Sequence, residues 1–139
     1  MEDYTLHHVG LVVGEIGKTA ELYGKLLGLD VITSASIDEA QGVKVAFLEA
    51  GNGVKLELVE PIGNDSPVMD FAKKGGGLHH LCYEVSNLND AVQNMWRQGA
   101  IIVRDPSPAL ALDGRNVAFL YSPDRSLIEL LETQKDRAN

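Results

Sequence analysis

Two histidines and two glutamates in this chain stand at matched distances that suit a bound cation. His8 and Glu57 are separated by 49 positions, and His80 and Glu129 are separated by the same 49. Each member of the first pair also has its counterpart 72 positions further on. Imidazole nitrogen and carboxylate oxygen together suit borderline first-row ions such as Zn, Ni, Co or Mn, and suit an all-oxygen calcium site poorly. A carboxylate drawn out of water is costly unless a cation or hydrogen bonds offset it, so an acid at the same place in both halves calls for the same kind of partner twice. A lone histidine on a strand is more often hydrogen-bonded than ligating; repetition at one offset favours ligation here. Four protein ligands on a five- or six-coordinate ion would still leave room for substrate.

The elements that must carry these residues are also written twice. LHHVGLVV at 6–13 resembles LHHLCYEV at 78–85, VAFL at 45–48 recurs at 117–120, and KLELVE at 55–60 is answered by LIELLE at 127–132, each at the offset of 72. A repeat that keeps its spacing across three separated segments points to a duplicated module. In each half an opening strand is followed by apolar positions at helical spacing: Ile16, Ala20, Tyr23 and Leu27, then Leu88, Val92 and Met95 or Trp96. Gly28 and Gly99 stand where a helix end favours a residue that tolerates positive φ. Three extended runs follow in each half, at 29–37, 43–50 and 54–60, then at 100–104, 115–121 and 126–132. The expected module is β-α-β-β-β, and the fold class α+β.

Strand parity then assigns faces. Leu6, His8 and Gly10 share one side of the first strand, while His7, Val9, Leu11 and Val13 share the other. If the apolar side meets the helix, His8 and His80 point away from it. Glu57, flanked by Leu56 and Leu58, and Glu129, flanked by Ile128 and Leu130, do the same. His7 and His79 fall on the opposite side as structural residues. Cys82 shares the face of His80 and reads as a small buried thiol.

Residues 62–77, IGNDSPVMDFAKKGGG, read as a short connecting helix capped by Ser66, with Pro67 at its first position, Lys73 and Lys74 at its C-terminal end and Gly75 as its stop. One domain is expected over 1–139, with the first module at about 5–61 and the second at about 78–133. The tail from Thr133 to Asn139 is polar and expected to fray. A net charge of -8 disfavours nucleic acid and anionic membrane surfaces as partners. No apolar run approaches the roughly 18 to 20 residues that cross a bilayer. A single cysteine and a polar, acidic opening segment fit a reducing cytoplasm.

The duplicated module and its His/Glu pairs resemble the vicinal-oxygen-chelate superfamily, which includes glyoxalase I, extradiol dioxygenases, bleomycin-resistance proteins and the methylmalonyl-CoA epimerases. The likeness to the epimerases lies in HHVGLVV at 7–13, YGKLLGL at 23–29, QGVKVAFLEAGNGVKLELVEPIGNDSPV at 41–68 and GGGLHHLCYEV at 75–85. The resemblance implies a curved mixed sheet around a metal-binding cleft, with His8, Glu57, His80 and Glu129 as ligands. It implies a homodimer, an acyl-CoA thioester as substrate and inversion at the carbon between thioester and carboxylate. Glu57 and Glu129 are then the candidate proton-transfer residues. Some relatives place a further acid in the strand after Q-G-V, where this chain has Val45; Glu57 would then be ligand and base together, as in glyoxalase I. LYSPDRS also departs from the epimerase pattern, and PSPALALDG stands where a glycine-rich turn is usual. A glyoxalase I-like lactoylglutathione lyase fits the same four ligands, and a metal-free small-molecule binding or resistance protein is a further alternative. Lys44, Lys55, Lys73, Lys74, Arg97 and Arg115 are the cations available for CoA phosphates.

Overall fold

The structure, a computed structural model, describes residues 3–134, so most of the polar tail lies outside the described residues. By its internal contacts the chain divides into two compact units, one formed by His8–His79 and the other by residues 3–7 with 80–134. The cut falls inside the two equivalent strands β1 (Tyr4–Val12) and β5 (Gly77–Val85), which places the connecting segment with the first module.

The His8–His79 unit continues from β1 through α1 (Ile16–Leu27), β2 (Ser36–Asp38), β3 (Val43–Gly51) and β4 (Val54–Pro61) to the short α2 (Met69–Lys73). Its strands run in the order β2-β3-β4-β1, antiparallel except for the parallel β4/β1 pair. Helix α1 lies on β3 and β4. Ile16 from the helix packs there with Ala46, Leu48 and Leu58, joined by Leu11, Val13, Ala20, Tyr23 and Leu56. Helix entry is fixed from a distance, since the Ile16 amide donates to Glu60 Oε1 at 2.8 Å and so satisfies one of the first-turn amides. Gly28, at φ +71, ends the helix in the left-handed conformation that a side chain would resist.

The second unit repeats the plan with α3 (Leu88–Arg97), β6 (Ile101–Pro108), β7 (Asn116–Tyr121) and β8 (Leu127–Glu132), its strands in the order β5-β8-β7-β6. Here β5/β8 is the parallel pair. The Asn87 side chain caps α3 by accepting from the Asp90 amide at 3.0 Å, a task that in the first unit falls to Glu60. Val85, Leu88, Ala91, Val92, Ala118, Leu120 and Leu130 form the core beneath the helix. The β-α-β-β-β order expected from sequence is present in both units, and the class is α+β.

Three expected boundaries differ. The run 29–37 is not one strand: Val31 makes an isolated bridge to Leu48, the Thr33 hydroxyl takes the Phe47 amide at 3.0 Å, and regular pairing begins only at Ser36. A side-chain acceptor has replaced a ladder carbonyl there and interrupted the strand. Conversely β6 runs on to Pro108 through two register shifts, because it lies at the end of its unit's strand order, where proline can be accommodated at an edge or bulge. Helix α2 starts at Met69, with Val68 rather than Ser66 at its cap; the Ser66 carbonyl takes the Met69 amide at 3.1 Å and forms a turn first. Pro67 is therefore not its first residue, whereas Gly75 follows its end as expected. Among the described residues no helix is long and apolar enough to cross a membrane.

Candidate metal centre

Each half builds its His/Glu pair on one local plan. In the first unit Glu57 on β4 sits between Gly10 of β1 and Phe47 of β3 in the strand register. His8 is two residues before Gly10, so it shares that face, and the missing side chain at Gly10 leaves room beside the carboxylate. His8 Nε2 lies 3.7 Å from Glu57 Oε1. In the second unit Glu129 on β8 sits between Cys82 of β5 and Phe119 of β7. His80 Nε2 lies 3.2 Å from Glu129 Oε1. The four residues are 0%, 7%, 5% and 4% exposed for His8, Glu57, His80 and Glu129, so both pairs are withdrawn from water.

The faces follow parity. Leu56 and Leu58 lie with the core under α1, and Ile128 and Leu130 with the core under α3, which turns Glu57 and Glu129 to the other side. The structure thus brings His8 to Glu57 and His80 to Glu129. His79 is turned away from this face and meets Phe71 edge-on, with ring centroids 5.1 Å apart. Cys82, the one cysteine of the chain, is buried and is the register neighbour of Glu129.

The donor set fits a divalent first-row ion. Two donors bound to one ion at about 2.1 Å each stand about 3.0 to 3.6 Å apart for angles between about 90° and 120°, and the two measured separations lie at or close to that span. Each buried His/Glu pair offers one imidazole nitrogen and one carboxylate oxygen that could ligate a metal.

Two aromatic residues at these sites escaped the sequence reading. Phe47 stands edge-on to His8, with centroids 5.4 Å apart and planes at 72°, and Phe119 meets His80 at 5.7 Å and 79°. They are the Phe of the two VAFL segments, so the signal was the repeat itself. The list of cations for CoA phosphates loses Arg115, which is buried, bonds Glu84 Oε2 at 2.7 Å and donates to the Glu132 carbonyl at 3.1 Å. Glu49 accepts the amides of Gly51 and Gly53, which gives it a role in the hairpin turn. In the LYSPDRS segment the Ser122 hydroxyl and the Ser126 amide hold the Asp124 carboxyl below its usual range, and these bonds close a surface turn.

The model of the Glyoxalase/Bleomycin resistance protein/Dioxygenase superfamily matches residues 7–119. The mitochondrial methylmalonyl-CoA epimerase of Bos taurus is 36% identical over 121 residues, covering 86% of this chain and 67% of that protein. The ethylmalonyl-CoA/methylmalonyl-CoA epimerase of Cereibacter sphaeroides is 35% identical, covering 90% of this chain and 95% of its own length. Among solved structures, the methylmalonyl-CoA epimerase of Mycobacterium tuberculosis superposes with a TM-score of 0.81 at 28% identity, covering 96% of this chain and 91% of that one. A variant of the Streptomyces coelicolor methylmalonyl-CoA epimerase in complex with 2-nitronate-propionyl-CoA gives 0.79 at 27%, covering 94% and 99%. With the repeat, the fold and these matches in agreement, the chain belongs to the glyoxalase/bleomycin resistance protein/dioxygenase superfamily, in the branch that holds the methylmalonyl-CoA epimerases.

Proposed function

We propose that this protein is a divalent-metal-dependent epimerase of a methylmalonyl-type CoA thioester, with one ion shared by His8, Glu57, His80 and Glu129. The observation that carries the reading is the pair of buried His/Glu couples built twice on one plan. The epimerase relatives and the neighbour holding an acyl-CoA analogue support the substrate class.

The carbon to be inverted lies between a thioester and a carboxylate, so loss of its proton puts negative charge on the thioester oxygen. A divalent cation held by these residues supplies fixed positive charge where that charge develops. The carboxylates of Glu57 and Glu129 carry the proton: one removes it from one face of the carbon and the other returns a proton to the opposite face, which inverts the centre. Position 45 is a buried valine, so no additional acid stands there and Glu57 acts as ligand and base together. Burial of both acids keeps bulk water from competing for the proton. A homodimer and a cytoplasmic location belong to the same proposal, the first by resemblance to the superfamily and the second from the cysteine count of one.

The same donor set favours one second reading, a glyoxalase I-like lyase acting on a glutathione adduct. Incubation with methylmalonyl-CoA in deuterated water, with added cobalt or manganese, separates the two. The epimerase reading predicts deuterium at the α-carbon and loss of optical purity. Turnover of methylglyoxal with glutathione, without exchange into methylmalonyl-CoA, would replace it with the lyase.

A further inference from the structure

We propose that Phe47 and Phe119 are positioning residues of the metal centre, each fixing the ring plane of its histidine through an edge-on contact. The inference rests on the metal reading above and adds residues that make no bond to the ion.

An imidazole turns about a broad, roughly two-fold torsion, so its staggered rotamer alone does not aim the ligating nitrogen. A metal site needs that nitrogen held to about half an ångström and about 10 to 20°. Strand geometry places the Cβ of His8 and His80 but leaves this torsion to the neighbours. The phenyl ring of Phe47 meets His8 at 72°, and that of Phe119 meets His80 at 79°, both on the face that carries the carboxylates. Each phenyl is also the strand-register neighbour of its own glutamate, so one rigid ring borders both donors of its half. A flat ring with few rotamers costs little entropy to order and excludes water from the donors' flank.

The chain has three phenylalanines, and all three lie edge-on to a histidine. The third pair, Phe71 with His79, lies away from the ligands and has an exposed phenyl, which makes it an internal control. The two pairs at the site are related by the same offset of 72 as the ligands, whereas Phe71 lies on the connecting helix α2, outside the repeat. A purely space-filling role for Phe47 and Phe119 would be met by leucine, which keeps an apolar side chain but presents no planar edge.

The test compares Phe47→Leu, Phe119→Leu and Phe71→Leu with the unaltered protein. Cobalt(II) affinity is read by competition with a chelating dye, the cobalt visible absorption band reports ligand geometry, and thermal unfolding reports packing. Phe47→Leu and Phe119→Leu should each weaken cobalt binding about 10- to 100-fold, the range typical of residues that orient a ligand, and shift or weaken the visible band. Phe47→Tyr and Phe119→Tyr, which keep the ring, should restore the band and also serve if a leucine variant does not fold. Phe71→Leu should change neither. Unchanged cobalt affinity and spectrum in the folded Phe47 and Phe119 variants, with at most a lower melting temperature, would overturn the inference and leave the metal reading standing. Absence of cobalt binding by the unaltered protein would remove the metal reading, and this inference with it.

Discussion

His80 Nε2 and Glu129 Oε1 are 3.2 Å apart with both side chains buried, while the equivalent His8 and Glu57 atoms are 3.7 Å apart. Both distances suit donors that converge on a cation, and a buried carboxylate without such an offset would be costly. The second couple is the tighter, and its glutamate is flanked by a thiol where the first has only a glycine hydrogen.

Glu57 has two proposed duties, and they can be separated. Glu57→Gln keeps an oxygen donor but no basic carboxylate. It should hold cobalt within about tenfold of the unaltered protein while α-proton exchange falls by about 10²- to 10⁴-fold, the usual contribution of a general base. Glu57→Ala and Glu129→Ala should instead lose at least about 100-fold in cobalt affinity, beyond the range seen for residues that only orient a ligand. Retention of α-proton exchange in Glu57→Gln with cobalt bound would show that the carboxylate acts only as a ligand.

Metal removal should lower stability, since an ion that binds only the folded chain stabilises it by mass action. At a free ion concentration about 1,000 times Kd this is worth about 4 kcal/mol, or about 10 °C in melting temperature for a chain of this size. Thermal unfolding with and without chelator measures the difference, and refilling with cobalt or manganese should restore it.

Arg115 is buried and engaged within the second unit, which favours a structural role over phosphate binding. Its guanidinium bonds Glu84 on β5 and the Glu132 carbonyl on β8, so Arg115→Met should cost about 1 to 3 kcal/mol in denaturant unfolding, discounted because Glu84 is 30% exposed. In the same variant KM for an acyl-CoA should stay within about twofold. A large rise in KM at unchanged stability would return Arg115 to the phosphate-binding candidates.

Gly76 is set by a close approach. At φ +67, a Cβ there would overlap the carbonyl oxygen of Val12. Gly76→Ala should destabilise the protein by about 1 to 3 kcal/mol, measured by chemical unfolding, whereas Gly17, which has open space around it, should accept alanine without such a cost.

Much of this site was legible because strand alternation is strict. Leu11, Val13, Leu56 and Leu58 mark the helix-facing side so clearly that His8 and Glu57 had to turn the other way, and the repeat carried the argument to His80 and Glu129. The same alternation put Phe47 opposite Ala46 and Leu48, but a phenylalanine among apolar residues reads as core, and only the structure reveals its angle to His8. The burial of Arg115 is not legible in sequence because its partner is 31 positions away, a pairing that local pattern cannot contain. The run 29–37 was misread for a related reason: Val31, Ile32 and Ile37 suit a strand by type yet are exposed, and Thr33 breaks the ladder through a bond to Phe47, 14 positions on.

The central claim is one ion held jointly by both halves of the chain, and metal content measured on His8→Ala and His80→Ala tests it most directly. The account predicts one divalent ion per chain in the unaltered protein, and loss of that same ion in either variant. Two ions per chain that disappear independently, or retention of the full ion content in both variants, would contradict it.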